Sequence, residues 1–289
     1  MKTVVHKSAI PASRLFVARE LGGRHFDPTW HAHSEFQLFV VLEGTGTRFI
    51  GDSIKTFNPG ELILTGPNLP HLWRSDDPYF SKNTSLRSRG IVIYLNDNFL
   101  GNNSLEKEEL ASVKKLFSKS MRGMEFHGEV RQQVIQLMMK LVSAMALNSL
   151  IMLLQILHLL AGTKDYQYIS GATYADPFKQ AETDRANLVY EYVISNFRKS
   201  ISLVEVAALV HLTPTSFSRY FTRHSNKTFS DFVAEVRIRQ ACKLLVETEQ
   251  SIEAICYDCG FNTLSNFNKQ FRSLMRDKPS AYRKKFMAL

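Results

Sequence analysis

Ser202-Leu203-Val204-Glu205-Val206-Ala207 and Ser251-Ile252-Glu253-Ala254-Ile255-Cys256 are one pattern written twice, at an offset of 49. Phe217-x-Arg219-x-Phe221 recurs as Phe267-x-Lys269-x-Phe271, at an offset of 50. The one-residue slip falls where the second copy reads Gly260-Phe261-Asn262, and length changes belong in turns. Such a repeat predicts two helix-turn-helix units. In the first, Thr213 caps a helix that opens on Pro214. Phe217, Tyr220 and Phe221 form its buried face; Thr215, Ser218, Arg219 and Thr222, with Arg223 beside them, form a polar and basic one. In the second, Thr263 is the cap, Phe267 and Phe271 turn inward, and Leu264, Ser265, Asn268, Lys269 and Arg272 turn outward. A helix that is apolar behind and polar in front is what a major-groove reader requires. Most solvated helices share that pattern, so it is the duplication that favours DNA.

The charge lies where the repeat lies. The 289-residue chain carries +9, but residues 195–289 hold 15 Lys+Arg against 8 Asp+Glu, a net of +7, leaving +2 for the first 194. A basic third on a near-neutral remainder suits one DNA-binding module joined to a sensor. Between the two copies, residues 229–247 read as one helix with Phe232, Val236, Ala241, Leu244 and Leu245 as its buried stripe. Roughly 18 residues at 1.5 Å each give a strut of about 27 Å. That strut would place two readers in grooves about one DNA turn apart. Cys256 and Cys259 form a Cys-x-x-Cys, but the repeat assigns them to packed helix positions. With only Cys242 besides, there is no four-cysteine zinc set and no disulfide framework, which fits a reducing compartment.

Residues 185–289 resemble the DNA-binding domain of the AraC/XylS family. The resemblance rests on Leu203-x-x-x-Ala207, Pro214-x-x-Phe217-x-Arg219-x-Phe221 and Arg237-x-x-x-Ala241-x-x-Leu244-Leu245. It continues through Ile252-x-x-Ile255, Gly260-Phe261, Phe267-x-x-x-Phe271 and Pro279-x-x-Tyr282-Arg283. It implies that Thr215, Ser218 and Arg219 meet bases in the first reader, and Leu264, Ser265, Asn268 and Lys269 in the second. Two departures stand out. Asn226 replaces the Gly expected after the first reader, and Arg276-Asp277-Lys278 replaces the usual Gly-Val-Thr before Pro279.

The first hundred residues read as β-structure, with short apolar runs at 36–42, 47–50, 61–65 and 91–95 separated by Gly, Asn, Asp and Pro. Residues 105–161 read as helical, with Leu147, Leu150, Leu154, Leu157 and Ala161 forming a seam. The seam packs on its own barrel, on a twin helix in a homodimer, or on both. Residues 141–162 run without a charge, but Ser143, Asn148, Ser149, Gln155 and His158 interrupt them, so no membrane span is expected. Residues 1–20 show no signal-peptide pattern, and a cytoplasmic location is expected. The expected organisation is a sensing and dimerising domain over 1–163, a linker over 164–182 and the DNA-binding domain over 183–289. The fold class is α+β with two domains: a cupin-like β-barrel followed by helices, then an all-α tandem helix-turn-helix.

His31, His33, Glu35 and Gln37 alternate, so on one strand they would share a face continued by Phe39 and Val41. His71 follows a turn through Pro67 and Pro70. These residues resemble the cupin motifs: His-x-His, an acidic ligand, a glycine after six intervening residues, then a second glycine and histidine. Gly44, Gly60 and His71 keep the pattern, whereas Gln37 stands at the acidic position and Ser75 at an expected Asn. Three imidazoles suit a divalent metal, but losing the carboxylate weakens that reading. The favoured reading is an effector pocket formed by His31, His33, Glu35, Gln37, His71 and Trp73, with no metal or cofactor assigned. A retained metal and purely structural polar residues are the other two. Trp30 and Trp73 flank the cluster, which fits a sugar, a choice that rests mainly on the family resemblance.

The expected function is a sequence-specific transcription regulator that is not an enzyme. Its expected partners are an operator duplex, a small-molecule effector with a sugar as the named candidate, a second copy of the chain and RNA polymerase. The competing reading is a metal-dependent cupin enzyme with accessory helices, which Gln37 and the repeat argue against.

Overall fold

A computed structural model describes residues 10–171 and 180–287 of the chain. The chain divides into two compact units, residues 1–179 and 180–289.

The first unit is built on antiparallel strands: β1 (Phe16–Gly23), β2 (Phe36–Glu43), β3 (Gly46–Ile50), β4 (Ser53–Phe57), β5 (Leu62–Thr65), β6 (His71–Ser75), β7 (Ser88–Leu95), β8 (Met124–Phe126) and β9 (Tyr166–Tyr168). They form a six-stranded sheet in the order β1-β7-β2-β5-β8-β9 and a three-stranded sheet in the order β4-β3-β6. The register sets Gln37 opposite Tyr94 and Phe39 opposite Val92, and pairs Arg19 with Val92 across β1 and β7. Because side chains alternate across a strand, one face of the large sheet carries Phe39, Val41, Ile63, Val92 and Tyr94, which meet Ile50, Phe57 and Trp73 of the small sheet. The other face, with Leu38, Val40, Leu64, Ile91 and Ile93, packs on three helices: α1 (Ala111–Ser120), α2 (Gly128–Leu141) and α3 (Ala146–Gly162). Gly44 turns β2 into β3 at φ +106, where a Cβ would lie 2.8 Å from the Ser88 hydroxyl.

Three expectations change here. The helical stretch from 105 to 161 is interrupted by β8, whose Met124 and Phe126 alternate with Glu125 and face the helix-side core. The buried stripe of α3 is Leu153, Ile156, Leu157 and Leu160, one step round from the seam read in the sequence. Leu147 is left 69% exposed and Ile151 46% exposed, because a helix turned to face its own sheet cannot bury both sides. Residues 166–168, expected in the linker, are the edge strand β9, and Ser170 donates to the Ile50 carbonyl. The part of that linker at 172–179 lies outside the described residues.

The second unit is helical throughout: α4 (Gln180–Asn196), α5 (Leu203–Leu209), α6 (Pro214–Ser225), α7 (Phe229–Glu247), α8 (Ile252–Asp258), α9 (Leu264–Met275) and α10 (Pro279–Met287). Val189, Tyr190 and Val193 of α4 are buried, as are Val206, Ala207, Phe217, Phe221 and Phe232, and the Tyr190 and Phe232 rings meet edge to face at 4.8 Å. The second repeat buries Ile255, Cys256, Cys259, Phe261, Phe267 and Phe271 against Ile238, Ala241 and Leu245 of α7. The cysteine motif is therefore core. Burial pushes the Cys259 thiol up to about 12 and the Cys242 thiol to about 11.

Candidate DNA-reading face and effector pocket

Each reader helix starts on a threonine cap. Thr213 accepts from the Ser216 amide, with Pro214 at the first helical position, and Thr263 accepts from the Asn266 amide. Each ends on a residue in the left-handed region, Asn226 at φ 54 and Arg276 at φ 58, fifty positions apart like the helices they close. Asn226 thus supplies the conformation expected of a glycine. The turn before each reader is also left-handed, at His211 (φ 56) and Gly260 (φ +83). A Cβ on Gly260 would lie 2.5 Å from the Phe197 carbonyl oxygen, so here the glycine is required by packing as well as by φ. Arg237 of α7 clamps the same segment, donating to the carbonyls of Phe197 and Lys199 at 2.8 and 2.7 Å. Arg283 does the equivalent for Leu245 and Gln250.

On α6, Phe217 and Phe221 are buried while Thr215, Arg219, Thr222 and Arg223 are exposed and Ser218 is half-buried. Tyr220, expected in the core, is only half-buried. On α9, Ser265, Asn268, Lys269 and Arg272 line one shallow surface hollow. Leu264 departs from the outward position expected of it, since it packs partly against the core beside Phe267, three residues on along the same helix face.

Within the barrel the large-sheet and small-sheet strands enclose a cavity of about 640 Å³. Five of the six residues singled out in the sequence line it: His31, His33, Glu35, Gln37 and Trp73. His71, fully buried, stands directly behind, its ring centroid 4.5 Å from that of His31 and 5.0 Å from that of His33. The route differs from the alternating strand expected, because β2 begins only at Phe36 and His31 reaches the site through a single bridge to His71. Trp30 is fully buried and not among the lining residues. The sequence reading missed Arg19, Glu20 and Leu21 of β1, His25, Phe26 and Asp27 of the following loop, and Val92 and Tyr94 of β7. The alternation of Val92 and Tyr94 was available in the sequence; their pairing opposite Phe39 and Gln37 was not.

The site's polar groups are tightly held. Nδ1 of His31, His33 and His71 lie 2.8, 3.1 and 2.7 Å from the carbonyl oxygens of Thr29, Glu35 and Leu69. Burial, with the two neighbouring imidazoles, holds His71 well below the usual imidazole range, so it is neutral. Glu35 is buried and its Oε1 has no hydrogen-bond partner. Trp73 is braced from behind: its indole N–H donates to Glu61, which with Glu125 accepts from the fully buried Arg48 at 2.8 and 2.7 Å. Burial pushes Glu61 above the usual carboxylate range despite Arg48. Burial also opposes ionisation of Glu125, but there Arg48 and Lys55 together prevail and hold it below that range.

Residues 16–160 match the family model of the AraC-like ligand binding domain, and residues 206–285 match that of a helix-turn-helix domain. Over 277 residues the chain is 23% identical to the HTH-type transcriptional activator RhaR of Mannheimia succiniciproducens, covering 91% of each chain. It is 22% identical to RhaS of the same organism over 243 residues, 84% of each. Among solved structures, ToxT from Vibrio cholerae aligns over 95% of this chain and 99% of its own, at 15% identity and a TM-score of 0.37. The DNA-binding domain of AdpA, solved with a target DNA, aligns over 35% of this chain and 90% of its own, at 22% identity and a TM-score of 0.33. The matched family models and the two activators are of transcription regulators rather than enzymes, so the enzyme reading falls. The ligand-binding match spans half the sequence and the helix-turn-helix match most of the rest: the chain belongs to the AraC family of DNA-binding transcription regulators.

Proposed function

We propose that the chain reads two dissimilar stretches of one operator through α6 and α9, under the control of a polyhydroxylated effector, a sugar or sugar derivative, held in the barrel cavity. The observation that carries the effector reading is the cavity's chemistry. Its volume suits a small ligand. Hydrogen-bonding residues (Arg19, His25, Asp27, Glu35, Gln37) line it together with the rings of Phe39, Trp73 and Tyr94, and the partnerless Glu35 oxygen calls for a hydroxyl donor. For the DNA reading, α6 offers Thr215, Ser218 and Arg219, with one side chain able to pair bidentately with guanine. The second reader offers Ser265, Asn268, Lys269 and Arg272, an adenine-capable amide among basic groups. Leu264 is left with at most an edge contact to a thymine methyl. The 19-residue α7, about 28 Å long, spaces the readers for successive grooves.

The exposed apolar edge of α2 and α3, with Leu147, Ile151 and Met139, supports a homodimer in which a second copy covers it. Two relatives named transcriptional activators support a contact with RNA polymerase. No described helix is long and apolar enough to cross a membrane, and a regulator of this kind works in the cytoplasm beside the chromosome.

Selection of binding sites from random duplexes by the full chain tests the DNA half. The expected product is a bipartite motif with centres about ten base pairs apart. Arg219→Ala should relax one half only, at a cost of about 1–3 kcal/mol. A single undivided motif, or one unchanged by that substitution, would remove the assignment.

A further inference from the structure

Residues 166–171 form a strap that is held to the barrel more closely than a chain leaving a sheet edge requires. Its first part, β9, pairs with β8. Beyond β9 the Ile169 and Ser170 amides donate to the carbonyls of Gly123 and Arg122 at 3.0 and 2.8 Å, and the Gly171 amide donates to Asp52 Oδ1 at 3.1 Å. The Arg122 guanidinium donates twice to the Ser170 carbonyl, at 3.2 and 3.0 Å, and stands over the Tyr168 ring. Ser170 is 2% exposed, and its hydroxyl donates to the Ile50 carbonyl. A segment that merely led away could leave these groups to water.

The strap docks on the residues that build the inner end of the cavity. Ile50 lies opposite His71 across β3 and β6, and the Gly51 amide donates to the Pro70 carbonyl. Ile169 packs against the core cluster that contains Leu69, Trp73 and Tyr94, and a Cβ on Gly123 would lie 3.2 Å from Ile169 and 3.3 Å from Leu69. The loop 66–71 thus joins strap to cavity. Its Leu69 carbonyl accepts from His71 Nδ1, its Asn68 amide donates to the His33 carbonyl at 2.7 Å, and His31 and His71 exchange both backbone hydrogen bonds. Asn68 holds a left-handed φ of 58, a conformation that depends on such support. A second connection runs through the cavity wall: Trp73 donates to Glu61, and Arg48 joins Glu61 to Glu125 of β8, the strand that carries β9.

We propose that residues 166–171 are a latch that docks more firmly when the cavity is filled and opens more readily when it is empty, so that the effector sets the length of the tether to the DNA-binding unit. This rests on the effector reading. Docked, the strap holds the chain to the barrel as far as Gly171; open, it holds only as far as Asp165, whose carbonyl accepts from the His127 amide. The docked form keeps Glu35 Oε1 buried without a partner, two residues from the His33 carbonyl that Asn68 holds. A donor on the effector removes that cost and so favours the docked arrangement. Linkage makes the effect reciprocal: the docked strap must tighten effector binding by the same factor.

The test is hydrogen–deuterium exchange of the full chain, read on peptides covering 166–171, with β1 as the internal control. The probes are glucose, fucose and glucuronate. A probe that binds should slow exchange at 166–171 by at least about fivefold and leave β1 unchanged. Without any probe, His31→Ala, which removes a half-buried ring beside His71, should speed exchange at 166–171 and not at β1. Asp52→Ala with Arg122→Ala releases the strap, and neither residue lines the cavity. That variant should lose at least about fivefold in probe affinity, and its operator affinity should no longer respond to the probe. Ser170→Ala, which removes one hydroxyl, should act in the same direction and serves if the double variant does not fold. A probe that raises the barrel's melting temperature while exchange at 166–171 stays constant would overturn the latch and leave the effector reading intact. Undiminished probe affinity in the released variant would overturn the latch as well. If no probe binds, the sugar reading fails for these three, and unchanged exchange in His31→Ala would by itself overturn the latch.

Discussion

Replacing Arg48 with methionine should destabilise the barrel and do so more at pH 8 than at pH 5. Arg48 is 1% exposed and donates to Glu61 and Glu125 at 2.8 and 2.7 Å. Methionine fills most of its volume, so the main effect is electrostatic: two carboxylates lose their shared cation. Breaking a buried pair by removing one partner costs about 3–5 kcal/mol. With a urea slope of about 2 kcal/mol/M, the midpoint should fall by about 1.5–2.5 M. The pH sign follows from Glu61, whose folded pKa is already raised by burial and loses two of the three influences that lower it, the charge of Arg48 and its hydrogen bond, keeping only the hydrogen bond from Trp73. A carboxyl that holds its proton to higher pH folded than unfolded costs nothing below its unfolded pKa. It costs progressively more as pH rises toward the folded pKa, and the full amount above it. Tryptophan fluorescence reads this transition cleanly, because both tryptophans, Trp30 and Trp73, lie in the barrel unit. Arg48→Met with Glu61→Gln should recover much of the loss and flatten the pH dependence. A midpoint that moves by less than ~0.5 M, or a loss independent of pH, would refute the reasoning.

Gly260→Ala should lower the stability of the DNA-binding unit by about 2–4 kcal/mol, from a strained φ and a backbone clash with Phe197. His211→Gly, at the matching turn, should change it by less than about 1 kcal/mol; urea melts followed by far-ultraviolet circular dichroism compare the two. All three cysteines should resist alkylation at pH 8 in the folded protein and react together on unfolding, as mass spectrometry would show, since burial raises all three thiols. Ile151→Glu should shift the chain from dimer to monomer in light scattering without lowering the barrel's melting temperature; a dimer that survives it would place the interface elsewhere.

The helix-turn-helix repeat was legible because each of its parts is local. Caps, a first-turn proline, aromatic spacing and a turn glycine all fall within a dozen residues, and α7 begins and ends where its stripe predicted. The barrel was legible only in part. His31, His33, Glu35 and Gln37 do meet at one cavity, yet the alternation that suggested it is not strand geometry before Phe36. What the sequence could not supply was partners distant along the chain. The Arg48–Glu61–Glu125 network joins β3, the turn before β5, and β8, and nothing local marks Arg48 as a buried charge. The edge strand β9 was read as linker for the same reason, since three residues have no periodicity and only the neighbouring β8 gives them a place.

The central claim is that a small molecule in the barrel controls what the two readers do. Trp73 forms part of the cavity wall, so an effector found by thermal-shift screening of sugars and sugar acids can be titrated by tryptophan fluorescence. Operator affinity can be followed in the same samples. The account predicts one saturation curve for both signals, a shift in operator affinity of at least about fivefold, and loss of both responses in Glu35→Ala. A ligand that saturates the fluorescence change while operator affinity stays constant would contradict it.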